Sequence, residues 1–167
     1  LHPQKGVLEL VDIWKLVINK MPTAKLAIIG DGQLQKKLKE KILKLKLNKN
    51  IVLFGFKSGS EKYDIFKNSK IVVHPAIYDS GGMAAAEAMA WGLPGVSFDL
   101  ESLKSYYPQG MLKTPCFNYD LFAQNIINLL TKKSLYQKTS IDALNLIRKT
   151  WDWRKRSQNI YNQIFND

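Results

Sequence analysis

An α/β domain, a parallel sheet with helices on both faces, is the fold class this 167-residue sequence predicts. Short apolar runs recur at 24–29, 51–54, 71–74 and 96–99, each too short for a buried helix. Longer stretches with apolar side chains at helical spacing lie between them. Strands that alternate with helices are joined by crossovers, and crossovers make neighbouring strands parallel. At 46% hydrophobic residues the chain can bury one sizeable core, so a single domain is the simplest organisation.

Lys5-Gly6-Val7 opens the first helix, and Val7, Leu8, Val11, Ile13, Trp14 and Ile18 give it an apolar face up to Met21-Pro22. The strand at 24–29 ends at Gly30-Asp31-Gly32. Strand followed by Gly-x-Gly is part of a dinucleotide fingerprint, but Gln35 occupies the place of the third Gly, so the signal for NAD is weak. Leu34, Leu38, Ile42 and Leu45 then mark an amphipathic helix with lysines between them. The strand at 51–54 runs into Gly55-Phe56-Lys57-Ser58-Gly59, and a short helix over 60–68 turns Tyr63, Ile65 and Phe66 inward. After the strand at 71–74 come a Gly-rich turn, an alanine-rich helix stopped by Gly92 and Pro94, and another strand ending at Asp99. Beyond it the pattern gives a short helix over 102–107, a loop at 106–110, and helices over 119–130, 134–150 and 154–165.

The chain carries 25 basic against 14 acidic residues, a net +11. Such a balance suits nucleic acid, an anionic membrane surface or a phosphorylated ligand, and does not choose among them. Much of it lies between Lys36 and Lys49 on the solvated face of an amphipathic helix, with no interleaved aromatics; a nucleic-acid partner is therefore not expected. The single cysteine, Cys116, excludes an internal disulfide and agrees with a reducing compartment. No apolar run is long enough to span a bilayer.

The chemistry concentrates between Ile71 and Asp99. The turn Asp79-Ser80-Gly81-Gly82-Met83 feeds a helix N-terminus, where unpaired N–H groups and the positive end of the dipole favour an anion such as a phosphate. Glu87 stands among Ala84, Ala85, Ala86, Ala88 and Ala90, side chains too small to hide a polar ligand from it. A ligand with a phosphate at the turn and hydroxyls on both sides, a sugar nucleotide, suits this arrangement. The same residues also permit a plainer account, in which Asp79 or Ser80 caps the helix and Glu87 bonds a neighbouring backbone.

Glu87-Ala88-Met89-Ala90, Gly92 and Pro94 resemble the signature E-G-F-G-x-x-x-x-E-A-M-A-x-G-x-P-V-V of the retaining glycosyltransferases of group 1 (family 4), which have the GT-B fold. Asp79 stands where that family has its first Glu, and Ser80-Gly81-Gly82 replaces its Gly-Phe-Gly. Lys5-Gly6 is similar to the family's Lys-Gly, and Leu1 fits the Leu of its preceding Arg-Leu pair, which would put the Arg and the strand before it outside this sequence.

The resemblance implies one Rossmann-like, donor-binding half of a GT-B enzyme, the N-terminal acceptor domain being absent. It assigns Lys5 to the donor diphosphate, Asp79 to a hydroxyl of the transferred sugar and Glu87 to the ribose. Ser80, Gly81, Gly82 and Met83 would cradle the phosphates. Gly30, Asp31 and Gly32, with Phe56 and Lys57, would lie near the nucleoside. Phe56 and Lys57 read equally well as a plain strand-to-helix turn. The resemblance further implies transfer from a nucleoside diphosphate sugar to a sugar or lipid acceptor without a metal ion or other cofactor. A cytoplasmic location follows, and the basic charge is compatible with peripheral work at the inner membrane face. In the family the last helix covers the N-terminal domain, so exposure of that face, or a dimer through it, is expected of such a fragment. Two readings stay open beside this one: another GT-B enzyme, such as a sugar-nucleotide epimerase, and a non-catalytic nucleotide-binding module.

Overall fold

The computed structural model describes residues 1–165, the side chain of Trp153 excepted. A 3-10 turn (Pro3–Lys5) leads into α1 (Val7–Lys20), β1 (Leu26–Ile29), α2 (Gln35–Lys44), β2 (Ile51–Gly55), α3 (Gly59–Lys67) and β3 (Val72–His74). Then follow α4 (Met83–Met89), β4 (Gly95–Phe98), α5 (Glu101–Lys104), β5 (Met111–Thr114), α6 (Tyr119–Thr131), α7 (Lys133–Thr150) and α8 (Trp153–Phe165).

All pairings between these strands are parallel. They form two hydrogen-bonded groups, β1-β2 and β3-β4-β5. Leu26 is level with Ile51 in the first group, and Val72, Gly95 and Met111 are level in the second. β4 is buried at all four positions, as a central parallel strand is when helices cover both of its faces. One main cluster joins α1, α2 and α6 to β1 and β4, with Val11, Ile13, Leu38, Phe98, Phe122 and Ile126 at its centre. A second cluster, around Met89, Leu103, Tyr107 and Ala143, packs α4, α5 and α7 together. The expected helices on both faces are therefore present.

Three details differ from the sequence-based expectation. β5 is a strand that patterning does not reveal, because it is four residues long and carries Lys113 between Leu112 and Thr114. What makes it a strand is pairing with β4 from Gly95 to Phe98. The helix expected at 102–107 closes earlier, at Lys104. Pro108 disfavours helical geometry at Tyr107, which turns into the core with 1% exposure. Tyr63 does not point inward with Phe66; it stays exposed and packs against Trp91 at a tilt of 33°, with ring centroids 5.4 Å apart. α8 exposes Ile160, Tyr161, Ile164 and Phe165.

Candidate functional site: the Asp79–Met83 turn and its cleft

The carboxyl end of β3 and the start of α4 border a cleft of about 530 Å³, closed on the other side by β1 and from below by Val7 and Leu10 of α1. Lys5, His74, Asp79, Ser80, Gly81, Gly82, Met83 and Gly30 all line it. A ligand crevice at strand carboxyl ends is the general rule for open α/β sheets.

Asp79 is the hub. It is 8% exposed, and its Oδ1 accepts hydrogen bonds from the N–H groups of Gly81 (3.1 Å) and Gly82 (2.8 Å). Its Oδ2 accepts from Lys5 Nζ at 2.7 Å. Burial pushes the Asp79 pKa up. The Lys5 ammonium, the two amides and the nearby His74 outweigh it and hold the carboxyl well below the usual range. Ser102 Oγ donates to the Asp79 carbonyl at 2.5 Å, which fixes the loop from the far side.

The turn needs glycine at position 82. Its φ is +60°, and an added Cβ would sit 3.0 Å from the Tyr107 ring. Tyr107 Oη in turn donates to the carbonyls of Gly82 (2.8 Å) and Gly81 (3.0 Å). The turn is thus held by a buried carboxylate bonding its N–H groups and a buried phenol bonding its carbonyls. Burial, with the Asp79 charge behind it, pushes the Tyr107 pKa up, so the phenol stays protonated and able to donate.

In α4, Gly82 is the N-cap and Met83 the first helical residue. Ala85 N–H folds back to the Gly82 carbonyl. Met83 and Ala84 have no intrahelical acceptor at this position, and both line the cleft. The Gly82 amide, by contrast, already donates to Asp79.

A row of polar side chains backs the turn. His74, Ser97 and Lys113 are level across β3, β4 and β5, so their side chains share one face of the sheet. Among the described residues His74 Nε2, Ser97 Oγ and Lys113 Nζ each lack an aligned hydrogen-bond partner. His74 Nε2 lies 3.3 Å from Asp79 Oδ2, off the line of a bond. Burial lowers the His74 pKa against the pull of Asp79, and it lowers that of Lys113 against Asp99. Lys113 Nζ also stands 5.7 Å over the Tyr107 ring.

The other sequence-derived residues lie apart from this hub. Glu87 is one turn beyond Met83 on the same helix face, about 6 Å along the axis. It is half exposed and bonded to Lys62 of α3 at 2.9 Å, outside the lining of the cleft. The carboxylate is therefore turned neither inward nor directly onto the amides. Lys57, in the loop before α3, bonds Glu61 of that helix and borders a separate groove with Phe54 and Ile65. Phe56 is 70% exposed. The Asp31 carbonyl accepts from the Leu1 amino group, and Gly32 packs against the Leu1 backbone.

Tyr107 and Lys113 carry no sequence signal for this site. Tyr-Tyr-Pro reads as a loop, and only the fold brings Tyr107 under the glycines.

The fold and the cleft define an open α/β domain with a crevice at the carboxyl ends of its strands, and comparison with known proteins makes its family specific. Residues 1–145 match the family model of the glycosyl transferases group 1, and the chain belongs to that family. A poly(glycerol-phosphate) alpha-glucosyltransferase of Bacillus subtilis is 28% identical over 153 residues, 89% of this chain and 22% of that protein. An uncharacterized glycosyltransferase of Methanocaldococcus jannaschii is 36% identical over 102 residues, 61% of this chain and 25% of that protein. The chain thus spans about a quarter of the length of these relatives.

Among solved structures, an S. aureus TarM variant in complex with Fondaparinux, alpha-GlcNAc-glycerol and UDP superposes with a TM-score of 0.88 at 22% identity, over 97% of this chain and 33% of that one. The C-terminal domain of the group 1 protein LpcC from Francisella tularensis gives 0.78 at 19% identity, over 90% and 82%. The fold is the Rossmann-like half of a GT-B glycosyltransferase, as the signature implied.

Proposed function

We propose that this chain is the donor-binding half of an enzyme that moves a sugar from a nucleoside diphosphate sugar to a saccharide or lipid-linked acceptor, with retention. The observation that carries it is the pairing of Lys5 with Asp79 beside the open first turn of α4. The Met83 and Ala84 amides and the helix dipole receive the diphosphate, and Lys5 neutralises the charge that develops on it as the sugar departs. This arrangement performs the task without a metal ion. Asp79, already fixed by Gly81 and Gly82, presents its remaining lone pairs to a hydroxyl of the transferred sugar. Glu87 exchanges Lys62 for the ribose hydroxyls. Support for a uridine donor comes from the UDP bound in the TarM variant and, with glucose, in Anabaena HepE, which superposes at a TM-score of 0.83 and 19% identity. The acceptor side belongs to further polypeptide, so the 167-residue chain binds donor but scarcely turns it over.

A thermal-shift panel of UDP, GDP, ADP and their sugars tests this reading. One nucleotide class is expected to raise Tm at millimolar concentration, and Glu87→Ala is expected to abolish most of the rise. Absence of any shift, or an equal shift in the variant, would refute the assignment. A shift by free nucleotide with none of its sugars bound would favour the non-catalytic module instead.

A further inference from the structure

Lys113 stands where a charged side chain is unfavourable. It follows Met111 by two positions in β5, so both side chains lie on one face of the sheet. Met111 packs on that face with Met89 and Tyr107, which puts Lys113 one step nearer the carboxyl end, behind the Asp79–Met83 turn. Its Nζ is shut off from solvent and, among the described residues, has no hydrogen-bond partner. It stands 5.7 Å over the Tyr107 ring, and the charge of exposed Asp99 favours its protonated form. A buried ammonium with no bonded counter-ion destabilises a fold, and an apolar side chain of similar length would fill the same space without that penalty. Packing therefore does not explain a lysine at this position.

We propose that Lys113 is an internal cation that raises the positive potential of the cleft and so tightens the binding of a diphosphate-bearing ligand there. This rests on the donor reading above and adds to it a residue that acts through its field, without touching the ligand. Two other cations near the turn are already paired, Lys5 with Asp79 and Lys62 with Glu87. Lys113 adds a positive charge that no bonded carboxylate cancels.

That charge is felt in the cleft. His74 lines the cleft and is level with Lys113, through Ser97, across three strands. Lys113 and Lys5 both push the His74 pKa down, beyond the larger effect of burial. Tyr107, whose ring lies beneath the ammonium, bonds the Gly81 and Gly82 carbonyls through its hydroxyl, so one aromatic residue separates the charge from the turn. Packed side chains screen a charge far less than water does. Lys5 is half exposed, so solvent and salt weaken its field, whereas that of Lys113 persists.

The neutral variants Lys113→Met and Lys113→Gln test this in NMR titrations with UDP and with uridine. In both variants Kd for UDP is expected to rise about tenfold, Kd for uridine to stay within about twofold, and the His74 pKa to rise. Lys113→Met is also expected to keep or raise Tm, which separates a role in binding from one in folding. UDP bound as tightly by the variants as by wild type would overturn the proposal. So would equal weakening for UDP and uridine, or an unmoved His74 pKa. A wild type that does not bind UDP would instead refute the uridine-donor reading, and this proposal with it.

Discussion

Lys5→Met is the substitution whose effect follows most directly from the structure. It keeps most of the aliphatic stem and removes the ammonium from Asp79, whose carboxylate is 8% exposed and would retain only the Gly81 and Gly82 amides. A hydrogen bond between charged groups contributes about 1.5–3 kcal/mol. Lys5 is 52% exposed, and solvent screening on that side reduces the expected loss to about 1–2 kcal/mol. For a domain of this size each ~1 kcal/mol moves Tm by about 2–4 °C, so a fall of about 2–8 °C is expected at pH 7. Urea unfolding of wild type, Lys5→Met, Asp79→Asn and the double variant measures it. The loss from Lys5→Met should shrink strongly in the Asp79→Asn background, because the neutral amide no longer needs a cation. A loss equal in both backgrounds, or none in either, would show that the pair does not hold the turn.

Removing the Tyr107 hydroxyl with Tyr107→Phe keeps the ring against Gly82 but deletes the donor to two carbonyls. The expected stability loss is about 1 kcal/mol, with faster amide exchange at Gly81 and Gly82 and weaker nucleotide binding if the turn is the phosphate site. Unchanged exchange there would refute the bracing role. Stability should also fall on acidification in two steps. His74 is depressed by burial, so an unfolded histidine takes up a proton near its ordinary pKa of about 6.5 while the folded one resists. The stability present above that pH declines until the lower folded value is passed. Asp79 is depressed by its partners, so a second loss begins below the ordinary carboxylate value of about 3.9 and continues to the folded one. Urea midpoints from pH 8 to 5 follow the first step, and His74→Gln should flatten it. A midpoint that stays level in wild type would contradict the burial argument.

Much of the fold was legible because its signals are local. The apolar runs at 24–29, 51–54 and 71–74 and the helical periodicity of α1, α2 and α6 depend on which residues lie within a few positions of one another, and a linear sequence states that directly. β5 was not legible. Four residues with a lysine among them become a strand only because β4 offers a paired edge. At the site, Gly81, Gly82 and the start of α4 could be placed from spacing, whereas Lys5 was singled out only by the resemblance to the family.

The sequence by itself determined the order of strands and helices, the glycine turn that starts α4, and the small side chains around Glu87. The tertiary structure alone decided the partners: Lys5 meets Asp79 across 74 positions, Tyr107 comes beneath Gly81 and Gly82, and Lys62 takes up Glu87. The physical reason is one of range. Periodicity and turn chemistry act between neighbours along the chain, whereas ion pairs and strand pairing act between groups that only packing brings within a few ångströms.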